Sequence, residues 1–190
     1  MIKSIVIAGV GGQGTLLASR LIGKAALAMD YDVKISEVHG MAQRGGSVIT
    51  YVRYGDESIK SPIIPLGEAD ILIAFEQLEA LRWTKYLKKG GLLLSSSQRI
   101  DPMPVITGKM EYPEGIGPLL CQTAENMCFI GAYDLAVKAG SPKMVNTVLI
   151  GRAARFLDID KDIWLEVVKT TVPKAFIDMN LNAFEAGYNF

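Results

Sequence analysis

Two hydrophobic periods alternate along the first half of the chain. KSIVIAG (3–9) is a short apolar run ending in glycine, as expected of a strand buried on both faces. Residues 14–29 then place Leu17, Leu21, Ala25 and Ala28 on one helical stripe, with Asp30 just beyond. DVKISEV (32–38) alternates poorly, yet its β-branched residues predict a second strand. A polar, glycine-bearing loop, HGMAQRGGS, follows. SVITYVRYG (47–55) sets Val48, Thr50, Val52 and Tyr54 on one face and ends at Gly55-Asp56, a clean strand. The proline-punctuated stretch SPIIPLGEAD (61–70) suits neither a central strand nor a helix. ADILIAF (69–75) reads as the next buried strand. EQLEALRWTKYLKKG (76–90) reads as a helix stopped by Gly90-Gly91, with Lys85, Lys88 and Lys89 near the negative end of its dipole. GLLLSSS (91–97) is a further core strand.

The second half changes character. Residues 99–119 hold four of the eight prolines and are expected to be extended or looped, with PVIT (104–107) as one more strand. From Thr123 the pattern turns helical. One helix is expected over 124–139 with Gly140 as its C′ glycine, and another over 142–157. A third is capped by Asp160, and a last one starts near Pro173. The βαβ rhythm predicts an α/β fold of three layers: a doubly wound, mostly parallel sheet, with room for a mixed strand, and a helical C-terminal third. Without internal repeats or low-complexity tracts, residues 1–190 read as a single domain.

Composition narrows the function classes. Apolar residues make up 49% and charged residues 21%, which is ordinary for a compact domain. Twenty basic side chains balance twenty acidic ones, so no overall field draws the chain to nucleic acid or anionic lipid. The N-terminal apolar run is too short for a secretory signal core, and no stretch approaches the ~18 apolar residues of a membrane span. A cytoplasmic location is expected. Cys121 and Cys128 match neither CxxC metal ligation nor a disulfide framework and read as reduced thiols. Two cysteines also fall short of the four thiolates an iron–sulfur cluster requires, so electron transfer through such clusters would run in a partner.

Candidate chemistry gathers in two loops. Gly9, Gly11 and Gly14 satisfy G-x-G-x-x-G between a strand and a helix. Glycines there let the backbone turn tightly and let a phosphate approach, while N–H groups at the helix start face the anion. Glu37 sits roughly 20 residues on, where a nicotinamide-binding protein holds a ribose. The alternative is that the glycines serve only close strand–helix packing. Gly12 and Gln13 make the turn looser and more polar than a dinucleotide fingerprint needs. The second loop carries His39, the only histidine, then Gln43, Arg44, Gly45, Gly46 and Ser47. An arginine fork beside two glycines suits a phosphate or carboxylate. Loops at the carboxyl ends of adjacent strands line one crevice, so the two loops are expected to form two walls of a pocket. No nucleophile–base pair, metal-ligand cluster or Tyr-x-x-x-Lys arrangement is evident. A free-standing NAD(P)-binding reductase and a ligand-free assembly module remain as alternatives.

GVGGQGTLLASRLIGKAAL, DVKISEVHGMAQRGGSV, SPIIPLGEADILIAFEQLEALR and GGLLL together resemble the gamma-type subunit of the 2-oxoacid:ferredoxin oxidoreductases, nearest in wording to its indolepyruvate branch. The likeness covers residues 3–110 and continues more loosely through NTVLIGRAARFL. It implies a complex that decarboxylates a 2-oxo acid on thiamine diphosphate, passes electrons through iron–sulfur clusters to ferredoxin, and releases an acyl-CoA. Thiamine diphosphate and the clusters would belong to larger partner subunits. This chain would bind none of them alone, and would contact coenzyme A at most. Gly11, Gly12, Gln13, Gly14 and Thr15 would form the first loop of the site, and His39, Gln43, Arg44, Gly45, Gly46 and Ser47 the second. Arg44 would meet a phosphate of coenzyme A or an acidic group of the partner. Isolated, the chain could pair with itself, and activity is not expected of it alone.

Overall fold

In a computed structural model that describes residues 1–40 and 45–190, the first apolar run becomes β1 (Ile2–Val10), buried without interruption from Ser4 to Val10. That burial follows from its central place in a six-stranded sheet. β1 pairs parallel with β4 (Ala69–Ala74) on one side and antiparallel with β3 (Ser47–Gly55) on the other. β3 also pairs antiparallel with β2 (Asp32–His39), while β4, β5 (Leu87–Ser96) and β6 (Asn126–Ile130) continue in parallel. The order is β2-β3-β1-β4-β5-β6, and β3 is the one strand running against the rest. The sheet is therefore mostly parallel with one mixed strand, as the sequence predicts.

Helices cover both faces. α1 (Thr15–Leu27) lies on one face with α5 (Ala132–Lys138), α6 (Val145–Ala154), α7 (Lys161–Thr171) and α8 (Ile177–Tyr188). Their core is centred on Ile5, Ile7, Leu21, Ile22, Trp164 and Phe184, all buried. The Trp164 and Phe184 rings stack at 6.3 Å, each burying enough apolar surface to contribute roughly 2–3 kcal/mol. The opposite face is covered by α2 (Gln77–Trp83) and α4 (Ile116–Thr123), over Val6, Leu72, Leu93 and Leu120. No described helix is long and apolar enough to cross a membrane.

Four local expectations are corrected. The helix expected over 76–90 stops at Trp83, passes through one tight turn at 84–86, and gives way to β5 from Leu87. Lys88 thus extends a strand rather than a helix end and pairs with the Asp70 carboxylate on neighbouring β4. The helix expected over 124–139 divides into β6 and α5 about Gly131, because β6 hydrogen-bonds alongside β5 from Asn126 to Ile130. Tertiary pairing outweighs the local helical pattern there. PVIT is not a strand: it falls in the single turn α3 (Met103–Ile106). Asp160 does stand at the N-cap of α7, but its side chain makes no capping hydrogen bond. Gly140 follows α5 at φ 119°, as the sequence predicts for a C′ glycine.

Candidate functional site

The chain leaves β1, crosses by α1 to the β2 side, returns through β3 and then adds β4 on β1's other flank. The carboxyl ends of β1 and β4 are thus a topological switch point, where open α/β sheets take their ligands. The glycine loop sits there. Gly12 and Gly14 hold φ of 102° and 85°, conformations an L side chain resists. A methyl on Gly9 would meet Thr15 at 3.0 Å and Phe75 at 3.3 Å, so glycine also permits the close strand–helix approach. Gln13 folds inward: Oε1 accepts from the Val10 N–H at 2.7 Å, and Nε2 donates to the Phe75 carbonyl at 3.0 Å. It ties β1 to the end of β4, an assembly role that a ribose fingerprint does not need. Gln98, just after β5, accepts from Gln13 Nε2 at 3.4 Å.

The second loop is clasped to the first by backbone alone. Gly11 N–H donates to the Gly46 carbonyl at 2.8 Å, and Gly45 N–H to the Gly11 carbonyl at 3.4 Å. The two loops are therefore hydrogen-bonded neighbours, while Gly45, Gly46 and Ser47 line a separate cavity beside α2. Gln43 and Arg44 lie outside the described residues. α1 starts at Thr15 with no side-chain cap, which leaves its first N–H groups facing the loop's surroundings.

Two clefts open on either side of this helix end. One, of about 320 Å³, collects Gly11, Gly12, Gly14 and Thr15 with Glu37 and His39. There Glu37 accepts from the hydroxyls of Thr50 at 3.0 Å and Thr15 at 3.4 Å, and His39 Nδ1 lies 3.4 Å from its other oxygen. The other, of about 370 Å³, runs from Gly12, Gln13 and Gly14 to Gln98, Lys143 and Asn146. Sequence reading missed its far wall. Lys143 and Asn146 follow β6 and α5, and with 124–139 read as one helix, no strand end delivered them to this crevice.

Ser47 is not brought to either cleft. Its hydroxyl donates to the Glu79 carboxylate on the opposite face of the sheet, and accepts from Trp83 Nε1 at 3.3 Å. Glu79 is only 3% exposed and also takes Trp83 Nε1 at 3.0 Å and Arg82 at 2.8 Å. Beside it Glu76, 1% exposed, caps α2 through the Glu79 N–H at 2.9 Å and accepts from the Ile100 N–H and the Tyr112 hydroxyl. Burial and that carboxylate push the Tyr112 hydroxyl well above its ordinary range. Arg99 stacks over the Tyr112 ring at 4.1 Å. These two buried acids anchor α2 and the 45–47 segment; FEQLE carried them in plain view as a Glu-x-x-Glu spacing.

Among the described residues no group of three or more His, Cys, Asp or Glu side chains could hold a metal ion. Among the described residues the Ser47 hydroxyl donates to Glu79 and His39 faces Glu37, and no hydrogen bond joins Ser47 to His39.

Residues 4–190 match the profile of a family described as pyruvate ferredoxin/flavodoxin oxidoreductase. Indolepyruvate oxidoreductase subunit IorB of Pyrococcus horikoshii is 42% identical over 190 residues, with 97% of this chain and 93% of the relative covered. The 2-oxoglutarate synthase subunit KorC of Methanocaldococcus jannaschii is 30% identical, covering 99% and 93%. Among solved structures, a keto/oxoacid ferredoxin oxidoreductase gamma subunit from Geobacter sulfurreducens superimposes with a TM-score of 0.74 at 25% identity, over 98% of this chain and 96% of that one.

Proposed function

The chain belongs to the pyruvate ferredoxin/flavodoxin oxidoreductase family as a subunit of a 2-oxoacid:ferredoxin oxidoreductase, and on that premise we propose a role for it. Residues 1–190, taken as one gamma-type domain, form a wall on the coenzyme A side of the complex's active site and help hold the complex together. The observation that carries this reading is the clasp of Gly11 by Gly45 and Gly46, which sets an uncapped helix start between two open clefts. Such a place receives an anionic group by backbone N–H donors without doing chemistry on it. Oxidative decarboxylation then belongs to a larger partner subunit that carries thiamine diphosphate and the clusters. Thiamine diphosphate held there would supply an electron sink for the decarboxylation. The cysteines fit that division, since Cys121 on α4 and Cys128 on β6 are two thiols where a cluster takes four. Arg44 is proposed to meet a coenzyme A phosphate or an acidic group of the partner. The higher identity to subunits named for indolepyruvate makes that acid the first substrate to assay, its pocket lying on the partner. A cytoplasmic location accords with this assignment.

Co-expression with the large subunit tests the reading. We expect copurification, and 2-oxo acid-dependent, coenzyme A-dependent ferredoxin reduction only when both chains are present. Calorimetry on the single chain should register coenzyme A and not NADH. NADH binding with none of coenzyme A would favour the free-standing reductase, and binding of neither the pure assembly module. Unchanged coenzyme A dependence and assembly in Arg44→Ala would remove that residue from the proposal.

A further inference from the structure

The sheet ends on one side at β2, an edge strand with nothing added to it among the described residues. β2 pairs with β3 in unbroken register from Asp32 to His39, and no other described backbone group bonds to it. Every second residue of such an edge turns its N–H and C=O outward, so half of its eight residues offer an open ladder. Edge strands are normally shortened, bulged or broken by proline, and β2 shows none of the three. The opposite edge, β6, has only five residues.

α1 runs alongside this edge. Gly23 lets the helix come so near that a methyl there would sit 2.8 Å from Ile35 Cδ1. Between helix and strand lies a groove of about 340 Å³, with Leu27, Val33 and Ile35 as its apolar lining and Arg20 and Lys24 as its formal charges. The two cations stand one turn apart on the same helix face, where like charges repel. Among the described residues neither has a carboxylate within 4 Å, whereas Lys34 on the strand is paired with Asp32 at 3.1 Å.

An apolar groove with unmet positive charge beside an open ladder suits an extended segment taken up as an added strand. Main-chain bonds would run along β2, and alternate side chains would enter the groove. The charge selects the occupant. A second copy adding its own β2 about a two-fold axis would set α1 against α1, cations facing cations. A strand carrying acidic residues meets the same groove with the opposite sign.

We propose that β2 and the α1 groove dock an extended, acidic and apolar segment of the complex's larger subunit as a further strand of the sheet. The inference rests on the assembly role proposed above. β2 ends at His39, on the cleft beside the glycine loop, so the docked segment lies along an edge that leads to that cleft.

Two measurements test it. Hydrogen exchange read by mass spectrometry compares the full chain alone with the chain in the co-expressed complex. Exchange across 31–39 and 16–27 should slow by about tenfold or more on assembly. Fluorescence anisotropy then follows a labelled peptide of alternating glutamate and valine on the full chain, beside the same peptide with lysine for glutamate. The glutamate peptide should bind about tenfold or more tightly, and the double variant Arg20→Glu, Lys24→Glu should reverse that preference. Both positions are exposed, and circular dichroism checks that the double variant folds. A complex that assembles while 31–39 exchanges as in the chain alone would overturn the inference and leave the assembly role intact. Equal affinity of the wild-type chain for the two peptides would also overturn it. Protection of 31–39 that grows with concentration in the isolated chain would assign the edge to a second copy, and overturn it too. Failure to copurify would instead remove the assembly role and this occupant with it, while a retained glutamate preference would keep the groove as a dock for an acidic strand.

Discussion

Helices α6 and α8 cross so closely that each offers a glycine to the other's backbone, and Gly187→Ala is the sharpest test of that contact. A Cβ on Gly187 would lie 1.9 Å from the Val148 carbonyl oxygen, and one on Gly151 would lie 2.1 Å from the Phe184 carbonyl oxygen. A carbon meets a carbonyl oxygen no nearer than about 3.3 Å, so the alanine methyl is about 1.4 Å too close. Both atoms are tied to backbone and neither can rotate away. The helices must part, loosening the packing of Val148, Ala183 and the stacked Trp164 and Phe184 rings. Overpacking in a filled core costs about 1–3 kcal/mol, and a backbone-to-backbone clash belongs at or above the top of that range. For a chain of this size about 3 kcal/mol lowers the midpoint by roughly 6–12 °C. Thermal unfolding followed by circular dichroism reads this directly. Gly117→Ala is the control: a methyl there meets nothing within 4 Å in α4, and alanine should be neutral or stabilising by up to about 1 kcal/mol. Because α6 opens with Val145 and Asn146, Gly187→Ala should also disturb the cleft that Asn146 lines. A midpoint within about 2 °C of wild type, with α8 still folded, would refute the reasoning.

Two further outcomes follow from buried polar groups. Ser47→Ala removes the hydroxyl between Glu79 and Trp83 and should cost about 1–2 kcal/mol in urea unfolding, with Glu79→Gln costing more because it also strips Arg82 of its partner; equal midpoints for Ser47→Ala and wild type would show that this network does not tether the second loop. On the alkaline side, burial and the Tyr86 hydroxyl push Tyr51 up to about 12, and burial pushes Tyr54 and Tyr112 higher still. The unfolded chain releases these protons first, so stability is complete below about pH 10 and falls as pH rises toward 12. Tyr51→Phe should make that fall shallower in urea titrations across the range, and an unchanged slope would deny Tyr51 its part.

What the sequence by itself determined is what short-range physics encodes. A short apolar run bounded by glycine is expected to be a strand buried on both faces, and β1 is one. The glycines from 9 to 14 announced a tight turn, and the stripe from Leu17 to Ala28 announced α1. The nearness of the two loops was legible from a general rule about strand ends. Tertiary structure alone decided the rest, because the competition it settles is between distant segments. β6 has five residues and no alternation of its own; only the exposed hydrogen-bonding edge of β5 makes it a strand. The same pairing decides where α5 begins and brings Lys143 and Asn146, more than a hundred residues along the chain, against Gly14. Strand alternation already set Ser47 on the face opposite Val48 and Val52, but only the packing of α2 put a buried carboxylate against its hydroxyl, since no period in EQLEALR distinguishes an acid that is buried from one in solvent. Local preference wrote the elements, and burial and hydrogen-bond satisfaction across the sheet chose which side chains share a cleft.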